Sequence, residues 1–527
     1  MIRGKILGLL KQAIKENVSI EVFVPDNGNF GHYSTNVAFQ LSKIFKKSPL
    51  GIAKEISSSF IVHSSSFIDK TEVVPPGFIN FWIKPEVFQD ELKEILKRKG
   101  KYGKSQIAKG KSQKINIEFI SANPTGKLTI GNGRGAFFGD VLANILGFAG
   151  CEVKREYYIN DARASSQIKE LGKTALRKGE TYKTSYIEEK IKKTEKNIKD
   201  KSEGEAGYLL AQEVIKDIKD FIEKELKIKF DVWFSEEELY KNNEIEKLRK
   251  ELEKKDLVYE KDGALWFKSS QFGDSEDRVL IRNTGEPTYF ITDLAYQLNK
   301  FRKRKFDKAI DIWGADHHGY EPRLRAALKT LGVNSSDFKV IITQMVRLIK
   351  SGQEMKVAKR AGDYLTLEEL IKDVGLDAAR FFFLMYSPDT HMDFNLDLAK
   401  DKSVKNPVYY VQYAAVRCQS ILIKNNERET INDKQLGLLN TTEDLNLMRI
   451  LARFPEIIEE AANKYNPQAG VRYSMDLARE FNNFYEKERV VVEDEKITSA
   501  RLALIEATLI VFKNIFSILG IFLPKKM

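Results

Sequence analysis

The first hydrophobic pattern in the chain is helical. In residues 1–16 the apolar side chains recur at helical spacing and fall on one stripe: Ile2, Ile6, Leu9, Leu10 and Ile14. Residues 35–47 continue with a helical pattern, whereas the apolar run at 77–83 is typical of a short strand. A polar, lysine-rich stretch follows at 97–113. We therefore predict a small α/β domain over residues 1–108 that ends in a linker.

A strand, a helix and a second strand are predicted next. Residues 114–120 alternate apolar and polar positions, residues 136–150 form an apolar helix closed by Gly150, and residues 151–159 read as another strand. This β-α-β order predicts a Rossmann-like, doubly wound parallel sheet. We assign it to a domain spanning residues 109–390.

The pattern changes again inside that domain. Residues 165–255 are rich in Lys and Glu and predict a solvated helical insertion. The segments at 264–268, 288–296 and 308–320 then read as strands that resume the sheet. Ligands of such sheets bind at the carboxyl ends of the strands, so the loops after these segments are candidate binding loops.

Strand signals vanish after about residue 390. Helical patterns occupy 406–422, 444–465 and 468–490, and they predict an all-α helical bundle over residues 391–527. The most apolar stretch, 505–523, contains Glu506, Lys513 and Asn514, which favours a buried helix over a membrane span.

Composition narrows the function classes. The chain has 527 residues, and its 86 Lys and Arg against 75 Asp and Glu give a net charge of +11. This favours a polyanionic partner, although a lysine-rich proteome would give the same excess. Only two cysteines are present, without Cys/His spacing for zinc, so we expect a reducing compartment, no structural metal and a cytoplasmic location.

The most informative stretch is SANPTGKLTIGNGRGAFFGD, residues 121–140, which contains Gly131, Gly133 and Gly135. GNGRGA formally satisfies the dinucleotide pattern of oxidoreductases, but SANPTGKLT separates it from the preceding strand. No Gly-Lys-Ser/Thr follows, which excludes a P-loop. The residues predict a glycine-rich helix start that binds an anion, with Lys127 and Arg134 nearby.

Residues 121–136 also resemble the segment of arginyl-tRNA synthetases that carries the His-x-Gly-His signature of class I synthetases. Further segments match in the same order: YYINDARA, DVWFSE, TYFITDLAY, WGADHHGYEPR, KVAKRAGDYLTLEELI, DAARFFFLMYSPDTHMDFNLDLA, NPVYYVQYAAVR and the terminal LPKKM. The resemblance covers essentially the whole chain. It implies that ATP and Mg²⁺ are used to form arginyl-adenylate, that arginine is passed to the 2′-hydroxyl of the terminal tRNA adenosine, and that the enzyme is monomeric. It also implies that tRNA must bind before arginine is activated.

One departure from the family concerns the ATP site. Thr129 and Asn132 stand where the family usually has two histidines that contact the ATP phosphates. A hydroxyl and an amide N–H are neutral donors, and each hydrogen bond to phosphate is weaker by roughly 1 to 2 kcal/mol than one from a cationic donor. A non-catalytic tRNA-binding relative is therefore an alternative hypothesis.

A second ATP loop is implied at KVAKR, residues 356–360. Lys356, Lys359 and Arg360 match the cations of the family's Lys-Met-Ser-Lys-type loop, where they would follow the departing pyrophosphate. Thr366 and Glu369 predict a capping box that starts the next helix.

The resemblance assigns the remaining small-molecule contacts. It places Gly131, Gly133, Gly314, His317 and His318 at ATP, although two adjacent histidines alone would also suggest a metal pair or surface residues. The arginine site maps onto Asn123 for the α-amino group and onto Glu236, Tyr289 and Asp293 for the side chain. A planar cation removed from water requires such carboxylate and phenol partners.

The tRNA contacts implied by the resemblance lie in the two outer domains. Phe78 and Asn80 would touch a D-loop nucleotide. Tyr410, Tyr413 and Arg417 share one helix face, with aromatic rings and charge interleaved as single-stranded anticodon bases require. Two further residues match anticodon contacts: Tyr485 and Met527.

Overall fold

The structure is a computed structural model that describes residues 1–64, 66–104, 112–355, 366–425 and 432–527. These residues form an N-terminal α/β region, a central region built on a parallel sheet and a C-terminal helical region. The predicted fold class is confirmed.

The N-terminal region is an antiparallel sheet combined with four helices. Its elements are α1 (Ile2–Ala13), β1 (Val22–Phe23), β2 (Tyr33–Thr35), α2 (Val37–Phe45), α3 (Pro49–Ser64), β3 (Ile68–Val74), β4 (Phe78–Ile83) and α4 (Pro85–Arg98). The strands pair in the order β1-β2-β4-β3. Ile2, Ile6 and Leu10 of the predicted helical stripe are fully buried, because that face of α1 covers the core.

The central region begins with the predicted β-α-β unit. Its first elements are β5 (Lys114–Glu118), α5 (Ile130–Phe148), β6 (Glu152–Ile159), α6 (Ser166–Ala175), α7 (Ser185–Ile198), α8 (Glu203–Lys224), β7 (Val232–Ser235), α9 (Glu237–Lys241) and α10 (Glu244–Lys254). Then follow β8 (Val258–Lys261), β9 (Ala264–Phe267), β10 (Arg278–Ile281), α11 (Tyr289–Leu298), β11 (Lys308–Gly314), α12 (Glu321–Thr330), β12 (Phe338–Thr343), β13 (Val346–Lys350), β14 (Gln353–Glu354), α13 (Leu367–Val374), α14 (Leu376–Leu384) and β15 (Met392–Asn395). The main sheet is parallel throughout, in the order β12-β11-β5-β6-β7.

The structure corrects the predicted limits of the insertion. Strand β7 lies within the range 165–255 but pairs with β6 in the main sheet, so the helical insertion ends before it. The insertion is also well packed. A Cβ added at Gly172 would lie 1.7 Å from the carbonyl oxygen of Glu203, which means that α6 and α8 touch backbone to backbone. Only the outer faces of these helices are solvated.

Two of the segments predicted to resume the sheet are not in it. Residues 264–268 belong to a separate antiparallel sheet, β10-β9-β8, and residues 289–298 form helix α11. Every residue from Phe290 to Leu298 is buried, so no polar face marks the helical period and the β-branched and aromatic residues mimic a strand. Only the segment at 308–320 contributes a main-sheet strand, β11.

The C-terminal region is the predicted helical bundle. Its helices are α15 (Leu396–Lys400), α16 (Pro407–Lys424), α17 (Asp433–Leu436), α18 (Thr442–Ala452), α19 (Phe454–Lys464), α20 (Gln468–Lys487) and α21 (Glu495–Leu519). Strand β15 precedes it and pairs with β13, so one strand lies beyond residue 390, contrary to prediction. Among the described residues, α21 alone has the length and apolar composition of a membrane span, but 78% of that window is buried inside the protein.

Candidate active site

The start of α5 is held by a capping box formed by Thr129 and Asn132. The Asn132 side-chain oxygen accepts hydrogen bonds from the Thr129 backbone N–H at 2.8 Å and from its hydroxyl at 2.9 Å. Both groups of Thr129 donate to the same side-chain atom of Asn132, so this atom must be the amide oxygen. The Asn132 NH₂ group makes no hydrogen bond within the described part of the chain. The Thr129 hydroxyl proton is therefore occupied, whereas the amide protons of Asn132 remain open to an anion.

The glycines of this stretch lie inside α5 and serve different purposes. Residues 119–129 separate β5 from α5, which is incompatible with the tight strand-to-helix turn of a dinucleotide fingerprint. Gly131 is exposed, and as a first-turn residue it has a backbone N–H that is free of intrahelical partners. Gly133 is buried, and a Cβ there would lie 2.7 Å from Leu367 Cδ1. Gly133 is therefore needed for packing of α5 against α13.

Arg134 is not available to an anion, contrary to the sequence prediction. Its side chain is 2% exposed and donates to the carbonyl oxygens of Gln344 at 2.8 Å, Ser387 at 2.6 Å and Thr390 at 2.6 Å. These bonds fix the loops that border α5. The charge at the helix start comes instead from the dipole of α5.

The end of the predicted second ATP loop is fastened to the start of α5. Thr366 and Glu369 form the predicted capping box, and Thr366 makes a backbone bridge with Thr129. The Leu367 N–H donates to the carbonyl of Leu128 at 2.9 Å. The two capping boxes thus adjoin.

A salt bridge reinforces this junction. Lys127 Nζ lies 3.0 Å from Glu368, in the first turn of α13. Lys356, Lys359 and Arg360 themselves lie outside the described residues.

The candidate adenosine contacts stand at the carboxyl end of β11. Gly314 is the last residue of this strand, and His317 follows in a short 3₁₀ turn with its ring 5.9 Å from that of Trp313. Both His317 and His318 reach solvent. Since β11 neighbours β5 in the sheet, this edge lies beside the loop that leads to α5. The described residues contain no group of three or more His, Cys, Asp or Glu that could hold a metal ion.

Tyr289 and Asp293 lie one turn apart on α11, because the predicted strand is a helix. Asp293 is 7% exposed and accepts a hydrogen bond from the Tyr320 hydroxyl at 2.6 Å. Tyr289 is half exposed, with its ring 5.9 Å from that of Tyr320. Burial raises the pKa of Asp293 well above its usual range, and Glu236 raises it further.

Glu236 directly follows the end of β7 and lies close enough to Asp293 to raise the pKa of that carboxyl group. It is 3% exposed, which excludes the solvated helix start that its SEEEL context would permit. Burial, followed by the nearby Asp161, raises the pKa of Glu236 to about 7. Neither Glu236 nor Asp293 forms an ion pair with any described residue. Glu236 and Asp293 are therefore two neighbouring buried carboxyl groups without an ion-pair partner in the described part of the chain.

Asn123 lies in the loop between β5 and α5. The backbone turns sharply there, since Ile120 and Ser121 adopt left-handed φ values of 69° and 39°. The Ser121 hydroxyl accepts the N–H of Tyr158 at 3.0 Å, which fastens the loop to β6. The Asn123 side chain is exposed.

Sequence reasoning missed a buried ionic cluster beneath this pocket. Lys300 is fully buried, 2.8 Å from both Glu118 and Asp311, and Gln297 donates to Asp311 at 2.6 Å. These contacts fix the end of α11 against β5 and β11. The available signal was the isolated carboxylates within the apolar runs INIEFI and AIDIW, since such residues are rarely buried unless paired.

Of the two residues predicted to touch tRNA in the N-terminal region, Asn80 is buried and Phe78 is partly exposed. Asn80 is 3% exposed within β4. The Phe78 ring packs edge-on against Phe39 at 5.2 Å and Phe23 at 6.4 Å. Both residues therefore contribute to packing in this structure.

The predicted anticodon residues form a surface on α16 and α20. The Arg417 guanidinium lies over the rings of Tyr413 and Tyr485, at 4.6 and 4.7 Å, and donates to the Tyr413 hydroxyl at 2.7 Å. Tyr410 lies one turn before Tyr413 and is half-buried. The chain end runs beside α16, where Gln419 donates to the carbonyl of residue 525, so Met527 lies near that helix.

Three family models match successive parts of the chain. Residues 2–83 match the arginyl tRNA synthetase N terminal domain, residues 91–384 match the tRNA synthetases class I (R), catalytic domain, and residues 411–527 match the DALR anticodon binding domain. The arginine–tRNA ligase of Carboxydothermus hydrogenoformans is 41% identical, covering 100% of this chain and 99% of that protein. The arginine–tRNA ligase of Citrifermentans bemidjiense is 40% identical, covering 97% of this chain and 95% of that protein.

Two solved structures have the same fold. The arginyl-tRNA synthetase of Thermus thermophilus superimposes with a TM-score of 0.78 at 22% identity, over 100% of both chains. That of Plasmodium falciparum gives a TM-score of 0.79 at 18% identity, over 100% of this chain and 99% of the other.

Proposed function

Since this chain belongs to the arginyl-tRNA synthetase family, and therefore charges tRNA with arginine using ATP, we propose which of its residues carry the reaction. The observation that supports the proposal most strongly is the pair of buried carboxyl groups, Glu236 and Asp293, that lack a cation. Burial of unpaired carboxylates is unfavourable unless a bound cation compensates them.

The guanidinium group of arginine fits this pocket. It is planar and always charged, and it donates in a fixed fork that suits two carboxylates approaching from different elements. Tyr289, at the half-exposed mouth, would cover the bound side chain, and Asn123 would accept the α-amino group from the loop above the sheet. Tyr320 orients Asp293 through its hydrogen bond.

We assign the ATP phosphates to the start of α5. The free backbone N–H groups near Gly131, the NH₂ group of Asn132 and the helix dipole all favour negative charge there. Thr129 would act by holding Asn132 through the capping box. Gly314, His317 and His318 would line the adenosine at the neighbouring strand end. Gly133 would act indirectly, by allowing α13 to approach.

Both chemical steps then depend on positioning and electrostatics. The arginine carboxylate attacks the α-phosphorus of ATP, the bond to the β-phosphate breaks, and pyrophosphate leaves with the displaced electron pair. Lys356 and Lys359 would neutralise the departing pyrophosphate. Mg²⁺ would enter with ATP as a counter-ion of its phosphates, and we assign neither a zinc site nor a protein ligand to Mg²⁺. The 2′-hydroxyl of the terminal adenosine then attacks the adenylate carbonyl, and AMP leaves.

The outer regions are proposed to bind tRNA. We divide the chain into an additional tRNA-binding domain at 1–108, a catalytic domain at 109–390 and an anticodon-binding domain at 391–527. Tyr410, Tyr413, Tyr485 and Met527 would meet anticodon bases. Asn80 would meet the D-loop only if β4 exposes it on binding, since it is 3% exposed, whereas Phe78 is already partly exposed. We further propose a cytoplasmic monomer that requires tRNA before it activates arginine.

The pocket assignment is tested by the Asp293→Ala variant. We expect loss of arginine-dependent ATP–pyrophosphate exchange in the presence of tRNA, because one of the two carboxylates is removed. The control is Asp256→Ala, which removes a carboxylate that is 92% exposed and should leave the exchange unchanged. Near-normal arginine affinity in Asp293→Ala would refute the assignment.

A further inference from the structure

We propose that Tyr158 is an additional specificity-determining residue, whose phenol oxygen accepts an N–H of the arginine guanidinium in the pocket of Glu236 and Asp293. The inference rests on the arginine pocket proposed above. It adds a neutral acceptor to a pocket otherwise described by two carboxylates and Tyr289.

The strand register places Tyr158 on the pocket side of the sheet. Tyr158 of β6 pairs with Phe234 of β7, and Glu236 follows two residues after Phe234. Glu236 follows the last residue of β7 and is the N-cap residue of α9, and its backbone N–H donates to the carbonyl of Ile159, the residue after Tyr158, at 2.9 Å. The Glu236 carboxyl also lies close enough to Tyr158 to raise the pKa of that phenol. Tyr158 and Glu236 therefore lie close together.

Helix α11 closes the opposite side of this region. The Tyr296 ring lies 4.2 Å from the ring of Tyr158. Asp293 is three residues before Tyr296, and residues three apart share a helix face. Tyr158, Glu236 and Asp293 thus converge from a strand, a strand end and a helix.

The Tyr158 hydroxyl is unusual because it is buried without a partner. Tyr158 is 3% exposed, and its oxygen makes no hydrogen bond with any described residue. Other buried tyrosines are satisfied: Tyr157 donates to the carbonyl of Ala122 at 2.9 Å, and Tyr473 donates to that of Ile450 at 3.0 Å. A buried polar group without a partner is uncommon and marks a place where a ligand or water completes the bonding.

The chemistry of the pocket favours arginine as that ligand. A guanidinium has five N–H donors in one plane, and the carboxylates of Glu236 and Asp293 can only accept. A phenol oxygen placed among them accepts one more N–H and keeps its own proton, since burial and the nearby Glu236 raise the pKa of Tyr158. Lysine has three donors on a single nitrogen and cannot reach acceptors spread around a plane. Tyr158 therefore strengthens the choice of arginine over lysine.

The test uses Tyr158→Phe in the full-length protein with tRNA and ATP. We expect the KM for arginine to rise by about tenfold, as for the loss of one hydrogen bond, with kcat within about twofold of the original. The KM values for ATP and tRNA should not change. The free variant should unfold at the same or a higher temperature, because an unsatisfied buried hydroxyl has been removed, and its stabilisation by added arginine should shrink.

Tyr473→Phe is the matched control. It removes a buried hydroxyl that is satisfied and lies in the C-terminal region, so it should lower the unfolding temperature and leave the KM for arginine unchanged. If Tyr158→Phe binds arginine normally while Asp293→Ala does not, the role of Tyr158 is overturned and the pocket stands. If both variants bind arginine normally, the pocket itself is overturned. Equal increases in the KM for arginine and ATP would indicate a disturbed cleft and would also overturn the role of Tyr158.

Discussion

The Asn132 side-chain oxygen accepts two hydrogen bonds from Thr129, one from its backbone N–H and one from its hydroxyl. The sequence resemblance matches these two residues with the positions where arginyl-tRNA synthetases usually have histidines. The sequence suggested two independent donors to ATP, but the structure makes them one unit in which Thr129 orients Asn132. The amide NH₂ group of Asn132 and the backbone N–H groups are the donors left for the phosphates that we propose to bind here.

Substitutions at Asn132 separate its two proposed roles, which are to accept hydrogen bonds from Thr129 and to donate to the ATP phosphates. Asn132→Asp keeps an acceptor for Thr129 and suits the positive end of α5, so the unfolding temperature should hold. It replaces the NH₂ donor with a negative charge, and we expect the rate of ATP–pyrophosphate exchange to fall by about 100-fold or more. Asn132→Ala should lose both tasks, with a stability cost of about 1 kcal/mol. An Asp variant that exchanges at the original rate would show that Asn132 does not meet the phosphates.

The raised pKa of Glu236 predicts a pH dependence for arginine use. Below its pKa of about 7, Glu236 is protonated in the free enzyme, so its negative charge is no longer available to the guanidinium group of arginine. We expect kcat/KM for arginine to fall about fivefold between pH 7 and pH 6, because the ionised fraction of Glu236 falls by that factor, and initial rates at constant ionic strength would measure it. In Glu236→Gln the profile should be lower and flat over this range. A profile of unchanged shape in this variant would contradict the assignment.

Ionisation of Glu236, which should favour arginine binding, should lower the free energy of unfolding of the arginine-free protein. Its pKa in the folded state lies above the ordinary value of 4.5, so the folded state binds the proton more tightly than the unfolded state does. At low pH Glu236 is protonated and neutral, and its burial does not destabilise the fold. The arginine-free protein loses stability as the pH rises through about 7, because a buried carboxylate must then be accommodated. Glu236→Gln should therefore raise the free energy of unfolding by roughly 2 to 4 kcal/mol at pH 8 and change it little at pH 5. Denaturant unfolding without arginine would measure this difference.

Gly133→Ala should impair the second ATP loop from a distance. The added Cβ would lie 2.7 Å from Leu367 Cδ1 and 3.3 Å from the Phe383 ring, so the buried Leu367 side chain in the first turn of α13 must shift. We expect a lower unfolding temperature and a reduced exchange rate with little change in arginine affinity. Gly147→Ala is the control in the same helix, since its Cβ would meet nothing within 4 Å. That variant should be about 0.5 to 1 kcal/mol more stable, because alanine favours helix. Equal behaviour of the two variants would contradict the packing role of Gly133.

The stacking of Arg417 between two tyrosine rings predicts that its removal weakens the binding of tRNA alone. Arg417→Ala removes the cation between Tyr413 and Tyr485, so we expect the KM for tRNA to rise about tenfold while the KM values for arginine and ATP hold. Arg249→Ala is a control for the loss of one charge, since Arg249 pairs with Glu246 and Glu253 away from this surface. A similar rise in both variants would point to net charge alone.

Periodicity predicted most of the architecture, and its failures have physical causes. Helix α1 and strands β5 and β6 could be predicted because their apolar residues recur at the spacing of a helix or of a strand, respectively. Helix α11 was predicted as a strand because its residues from Phe290 to Leu298 are all buried, which hid the helical spacing that brings Tyr289 and Asp293 together. Strand β7 was not predicted because it is short and lies within a Lys- and Glu-rich range that was assigned as a whole to a helical insertion.

The site was only partly predictable for a similar reason. The resemblance pointed to Glu236, Tyr289 and Asp293, whereas the roles of Tyr158 and Tyr320 depend on contacts between distant segments. A hydroxyl without a partner cannot be recognised from sequence, because the partner groups come from other elements.

The most direct measurement of the central claim is ATP–pyrophosphate exchange by the purified, unmodified protein with Mg²⁺. We predict exchange that requires arginine, is not supported by lysine, and appears only when the cognate tRNA is present. This result would establish that a Thr129–Asn132 capping box, without histidine at either position, supports adenylate formation. Absence of exchange with arginine, ATP, Mg²⁺ and cognate tRNA all present, while the protein still binds that tRNA, would contradict it.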